Sequence, residues 1–126
     1  LYYTIREIVL HFHDMFKRYR KVKLTIKSKK YTLAVADTYA KKKLGLSKLR
    51  KLPNKCGMLF VYNTAVNNYF TMEYTSIALT IIFLDKNFKI LEVFKCRPYS
   101  KKKVRPESDY YYVIEIWITL YNIIFV

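Results

Sequence analysis

The spacing of apolar residues changes character once, near Arg20, and that change commits the chain to a fold dominated by strands. Before it, Ile5, Ile8, Val9, Phe12, Phe16 and Tyr19 recur every three or four positions, which is one stripe of an α-helix and predicts an amphipathic helix over 3–18. After it, Val22, Leu24 and Ile26 alternate with Lys21, Lys23, Thr25 and Lys27, the period of a strand with one apolar face. Ser28, Lys29 and Lys30 make a turn, and Tyr31, Leu33 and Val35 resume the alternation, so 21–36 reads as a hairpin. Asp37 and Thr38 supply N-cap chemistry for a short helix at 39–44 that Gly45 ends. Further strands are expected at 58–62, 70–72, 76–84, 89–94, 110–116 and 118–126, with a polar turn at 63–68. In the 76–84 strand Ile77, Leu79, Ile81 and Phe83 take one face, Ile82 and Leu84 the other. The expected fold is mainly β: a small antiparallel β-sandwich or barrel with a short helix after the first hairpin and an added N-terminal amphipathic helix. The expected organisation is a helical extension over 1–20 and a β domain over 21–126.

The chain has 126 residues, 52% of them hydrophobic, enough for one domain that buries roughly two-thirds of its unfolded surface without disulfides or structural metal. An aromatic content of 17% excludes the disordered class. Cys56 and Cys96 form no CxxC pair and have no His cluster nearby, so they read as apolar core thiols in a reducing compartment. His11 and His13 lie two apart on the predicted helix and point away from each other, which defeats a paired metal site. The most apolar stretch, 110–126, carries Glu115 and reads as strand rather than a membrane span. No secretory signal pattern opens the sequence, so an intracellular setting is expected. The scarcity of Gly beside abundant Lys, Tyr, Phe, Ile and Asn is the bias of an AT-rich coding sequence, which points to an organelle such as the mitochondrion, a parasite or a virus.

Charge is the second constraint. With 24 Lys and Arg against 9 Asp and Glu, the net charge of +15 sets the folded body against itself unless an anionic partner neutralises it. Codon bias inflates Lys and accounts for part of this. The basic residues cluster: Lys41, Lys42, Lys43, Lys48, Arg50 and Lys51 fall in a stretch with no acidic residue up to Lys55, and Lys101, Lys102, Lys103 and Arg105 share a later loop. Such runs ordinarily form a solvated face, but this density exceeds what solubility needs. No Gly-rich phosphate loop, HExxH, Cys/His metal spacing or Gly-x-Ser-x-Gly elbow occurs, and the carboxylates are scattered. The chain therefore reads as non-catalytic, with no cofactor, no metal and no small-molecule substrate.

Ala36-Asp37-Thr38, Gly45-Leu46, Leu52-Pro53, Gly57-Met58-Leu59-Phe60, Phe70 with Met72, Thr75, and Ile82-Phe83-Leu84-Asp85 stand in an order that resembles the bacterial and archaeal family known as domain of unknown function 192. The pattern aligns without a gap from Gly45 to Asp85, and weaker flanks extend it to about 21–116. The resemblance implies a small, mainly β sandwich and no established activity. Where the family pattern reads Phe-Trp-Met-Lys-Asn-Thr, this chain has Phe70-Thr71-Met72-Glu73-Tyr74-Thr75, and the family's Pro-Leu-Asp is Ala78-Leu79-Thr80. Leu49 stands where an Arg is expected, and Phe88 replaces a loop glycine. If the family's polar set lines a pocket, Thr71, Glu73, Tyr74 and Thr80 mark its eroded remnant.

Two functional expectations follow. The first is a structural protein of a large ribonucleoprotein assembly, such as a mitochondrial ribosome, whose ten clustered Lys and Arg residues contact ribosomal RNA phosphates. In that reading the N-terminal helix and the apolar tail dock on neighbouring proteins. The second is a small-ligand or protein-binding β-sandwich, or an accessory subunit of an organellar membrane complex.

Overall fold

A computed structural model of the chain describes residues 4–117. Helix α1 (Ile5–Met15) precedes the hairpin of β1 (Lys21–Ile26) and β2 (Lys29–Ala36), and helix α2 (Tyr39–Leu44) follows it. Strands β3 (Cys56–Val66), β4 (Leu79–Leu84), β5 (Ile90–Cys96) and β6 (Tyr110–Trp117) complete one six-stranded sheet in the order β1-β2-β3-β6-β4-β5. The mainly β class, the helix after the first hairpin and the N-terminal helix all stand. The sheet differs from the expectation in one pairing: β2 and β3 run parallel, from Thr32 opposite Cys56 to Ala36 opposite Phe60. The reason is the connection: a segment holding a helix carries the chain back to the starting end of the sheet, and such a crossover delivers a parallel neighbour. The sheet is open, with β1 and β5 as its edges, and does not close into a barrel.

Period-two alternation gives the sheet two apolar faces. On one, Ala34, Ala36, Met58, Phe60, Ile81, Phe83 and Val113 meet Phe12 and Phe16 of α1 together with Leu46, Leu49, Leu52, Met72 and Val104 from the connections. On the other, Leu33, Leu59, Ile82, Leu84, Ile114 and Ile116 form a second cluster rimmed by Val22, Leu24 and Ile26 of the edge strand. Helix α1 belongs to the first core: Phe12 and Phe16, one turn apart, are fully buried with ring centroids 5.1 Å apart. Its start is N-capped by Thr4, whose Oγ1 accepts from the Glu7 backbone N–H at 3.1 Å. Just past its end, Lys21 Nζ donates to the carbonyls of the C-cap residue Phe16 (2.6 Å) and of Tyr19 in the turn that follows (3.3 Å).

Other differences are local. The segment expected as a strand at 70–72 is a single bridge, Phe70 with Val104. The expected turn at 63–68 is partly strand, because β3 continues past a register shift between Val61 and Val66. The strand expected at 118–126 lies outside the described residues. Among the described residues no helix is long and apolar enough to cross a membrane. Thr38 caps α2 by accepting from the Lys41 N–H at 3.2 Å. Thr38→Ala is expected to cost about 1 kcal/mol in a urea titration, with the loss absent in Thr38→Ser.

Candidate functional site

The fold separates the basic residues into two groups. Leu46, Leu49 and Leu52 are anchored in the core, so Lys48, Arg50 and Lys51 between them turn outward, toward α1. Lys42 and Lys43, on α2, line a different surface, to which the chain between β5 and β6 brings Lys102, Lys103 and Arg105. Tyr69 stands between these latter sets. It walls a cavity of about 390 Å³ with Tyr39, Lys42, Lys43, Tyr62 and Thr71, and another of about 450 Å³ with Phe94, Lys102, Lys103, Arg105 and Glu107. Lys101 is exposed beside the second of these. Lys41 is turned elsewhere: its Nζ lies 3.7 Å from the Asp37 carboxylate and 4.8 Å from the centre of the Tyr19 ring.

Several cations on this surface are held rather than loose. Lys42 Nζ sits 4.1 Å over the Tyr62 ring and the Arg105 guanidinium 4.3 Å over Tyr69, cation–π geometry that fixes a long side chain while leaving its charge near water. Arg105 also donates from Nη1 to the Asn67 carbonyl at 2.9 Å. Below them Tyr110 donates its hydroxyl to the Asn68 carbonyl at 2.6 Å, and burial drives that phenol's pKa well above its ordinary value. The 67–71 loop is thus tied to both β6 and the 101–106 loop. The Phe70–Val104 backbone bonds of 2.8 and 2.9 Å complete the tie.

The residues of the supposed family pocket do not assemble. Thr71, Glu73 and Tyr74 share one turn, with Thr71 Oγ1 donating to the Ser100 carbonyl at 3.2 Å and accepting from the Glu73 N–H at 3.3 Å. Thr80 stands on β4 opposite Lys95 and Ile116, and Ile116 belongs to the cluster on the far face of the sheet. Of the four, Thr71 lines the wall of the Tyr69 site.

Sequence reading missed the aromatic half of this surface, Tyr39, Tyr62 and Tyr69. Their signal was present as tyrosines immediately beside basic or polar turn residues, but nothing local says that α2 and the 67–71 loop meet. It also missed Glu115, whose side chain lies inside the main core. Its strand position faces Met58 and Ile81, and burial alone pushes its carboxyl up to about 8. Desolvation likewise raises the Cys96 thiol to about 11 and the Tyr62 phenol to about 12, and the Glu115 charge adds to both. Cys56 and Cys96 are buried free thiols.

Comparison with known proteins bears on these readings. A solved structure from Sinorhizobium meliloti 1021, of a protein provisionally described as a transcription regulator, matches with a TM-score of 0.71 at 23% identity, covering 78% of this chain and 81% of that one. A protein of unknown function from Novosphingobium aromaticivorans DSM 12444 matches with a TM-score of 0.68 at 26% identity, covering 78% of this chain and 72% of that one. No curated protein sequence matches. These likenesses overturn the ribonucleoprotein expectation, since neither they nor the matching family carries a ribosomal or RNA-binding role. The geometry agrees, because the residues assigned to RNA phosphates line separate cavities rather than one surface and Lys41 is paired with Asp37. The mitochondrial setting, which rested on residue bias, loses its support with the ribosome. The family model for uncharacterized ACR proteins covers residues 22–119, and the chain belongs to that family, domain of unknown function 192.

Proposed function

We propose that this chain is a non-catalytic docking domain that holds an acidic segment of a protein partner on the surface centred on Tyr69. The observation that carries this reading is the convergence of Lys42 and Lys43 with Lys102, Lys103 and Arg105 around one exposed tyrosine. Both cavities are open and shallow, unlike the enclosed, mostly apolar clefts that take small molecules. An extended partner suits them better. The residue types also fit, because Tyr and Arg dominate the energetic centres of protein interfaces. Tyr39, Tyr69, Tyr74 and Tyr99 are all exposed, the last two on loops joined to each other by the Tyr99 N–H to Thr75 carbonyl bond of 2.9 Å. The held cations cost a partner less side-chain entropy than free lysines do.

The test is fluorescence anisotropy with a labelled Glu-rich decapeptide that carries one Phe. Saturable binding is expected, weakened about tenfold or more by the double variant Lys42→Ala/Arg105→Ala. The double variant Lys48→Ala/Lys51→Ala, which removes the same charge from the other basic group, is expected to leave the affinity nearly unchanged at 0.15 M salt, where the Debye length is about 8 Å. Equal losses in both variants mean that the peptide reads net charge alone, and the docking site is then wrong.

A further inference from the structure

The second basic group borders a groove with a different chemistry. Between α1 and the segment after α2, a cavity of about 350 Å³ is walled by Glu7, Ile8, His11, Lys48, Arg50 and Lys51. It continues, through the shared residues Ile8, Arg50 and Lys51, into one of about 510 Å³ lined by Ile5, Leu52, Ile77 and Trp117. The first part is cationic and the second apolar. Both walls are fixed: Phe12 and Phe16 root α1 in the core, Leu49 and Leu52 root the opposite segment, and Ser76 Oγ donates to the Leu49 carbonyl at 3.2 Å.

We propose that this groove binds a monomeric straight-chain carboxylate, its head beside Lys48, Arg50 and Lys51 and its chain running past Ile8 and Leu52 toward Ile77 and Trp117. Charge complementarity supports that occupant. Three cations face the head end against the single carboxylate of Glu7, and among the described residues none of the three forms an ion pair. The apolar end accounts for two large apolar side chains that stand exposed among the described residues. Ile5 is 82% and Trp117 40% open to solvent, both at the groove's wall, and an alkyl chain laid between them covers both. A bilayer surface fits less well, because the apolar residues line a concavity rather than project from a convex edge.

Trp117 is the only tryptophan in the chain, so its emission reports this groove directly. Titrating the full chain with dodecanoate, kept below the concentration at which it aggregates, is expected to give a saturable blue shift. Burial of each methylene contributes about a fourfold gain in affinity, so decanoate, two methylenes shorter, should bind roughly fifteenfold more weakly. Dodecanol, which lacks the charge, should also bind at least several-fold more weakly, and Arg50→Ala/Lys51→Ala should erase the preference for the acid over the alcohol. Both residues are exposed, so the variant is expected to keep the wild-type thermal midpoint. No saturable shift, equal response to acid and alcohol, or an unaltered preference in the double variant overturns the proposal. A shift with phosphatidylglycerol vesicles but none with monomeric dodecanoate also overturns it, in favour of a membrane surface. The Tyr69 surface plays no part in these readings, and either site stands or falls without the other.

Discussion

Gly57→Ala should lower stability by at least about 3 kcal/mol, an overpacking cost at the upper end of its range with strand hydrogen bonding lost on top. Gly57 lies in β3 opposite Ile116 of β6. A Cβ built on it would stand 2.2 Å from the Glu115 carbonyl oxygen and 2.8 Å from Ile116 Cγ2. The first obstacle is backbone, and no rotamer change removes it. Either β3 and β6 separate there, which unpairs ladder groups in the middle of the sheet, or the whole strand shifts and takes Met58 and Phe60 out of the core. Both routes spend a large part of the ~5–15 kcal/mol that holds a domain of this kind together. Gly45 is the control. Its φ of +51° disfavours any side chain, but a Cβ there would meet nothing closer than the Phe60 ring at 3.5 Å. Gly45→Ala is expected to cost about 1–3 kcal/mol, the strain of its positive-φ backbone alone. Urea midpoints of the two variants check the ranking, and a Gly57→Ala midpoint at or above that of Gly45→Ala would contradict the close approach.

That contrast also shows what the sequence made legible. Alternation located β1, β2 and the β4–β5 hairpin because each has neighbours only a turn away, and Thr38 and Gly45 bounded α2 within the residues they cap. Long-range pairing was not legible. Nothing near Gly57 announces that Glu115 will press against it, and nothing near Thr80 says that it faces away from Thr71. Phe88 is a case where local chemistry and outcome differ. It adopts φ +62° in the β4–β5 turn, where the family has glycine, and its ring lies against Tyr112 at 4.1 Å with planes 17° apart. The Asp85 carboxylate holds the turn by accepting from the Asn87 and Lys89 N–H groups at 2.8 and 2.9 Å. An aromatic contact from a distant strand offsets a backbone strain of about 1–2 kcal/mol, which a window of ten residues does not reveal. The functional surfaces failed to be read for the same reason. Sequence grouped the lysines by proximity along the chain, and the fold regrouped them by the loops that Tyr69 and α1 bring together.

Replacing the buried carboxyl should have the opposite sign to the glycine variant. Glu115 on β6 lies among Met58, Ile81 and Val113, and burial raises its carboxyl from the ordinary 4.5 to about 8. The folded state therefore keeps a proton that the unfolded chain releases near 4.5. Between those values the native state binds more protons than the unfolded one, so stability falls as pH rises and levels off above the folded-state value. At 1.36 kcal/mol per unit the full loss is on the order of 4–5 kcal/mol. Glu115→Gln keeps the shape and removes the charge. At pH 5 it should match the wild type closely, whereas at pH 8.5 it should be more stable by several kcal/mol, with little slope remaining between pH 5 and 8. The slope also bears on the neighbouring thiol. With no negative charge at position 115, Cys96 loses one of the influences that hold its thiol protonated, so its alkylation rate in the unfolding transition is not a substitute readout. Urea denaturation at each pH is the direct one. A wild-type curve that is flat from pH 5 to 8.5, or a variant that is less stable than wild type at the alkaline end, would place the Glu115 carboxylate in contact with water or a cation rather than in the apolar core.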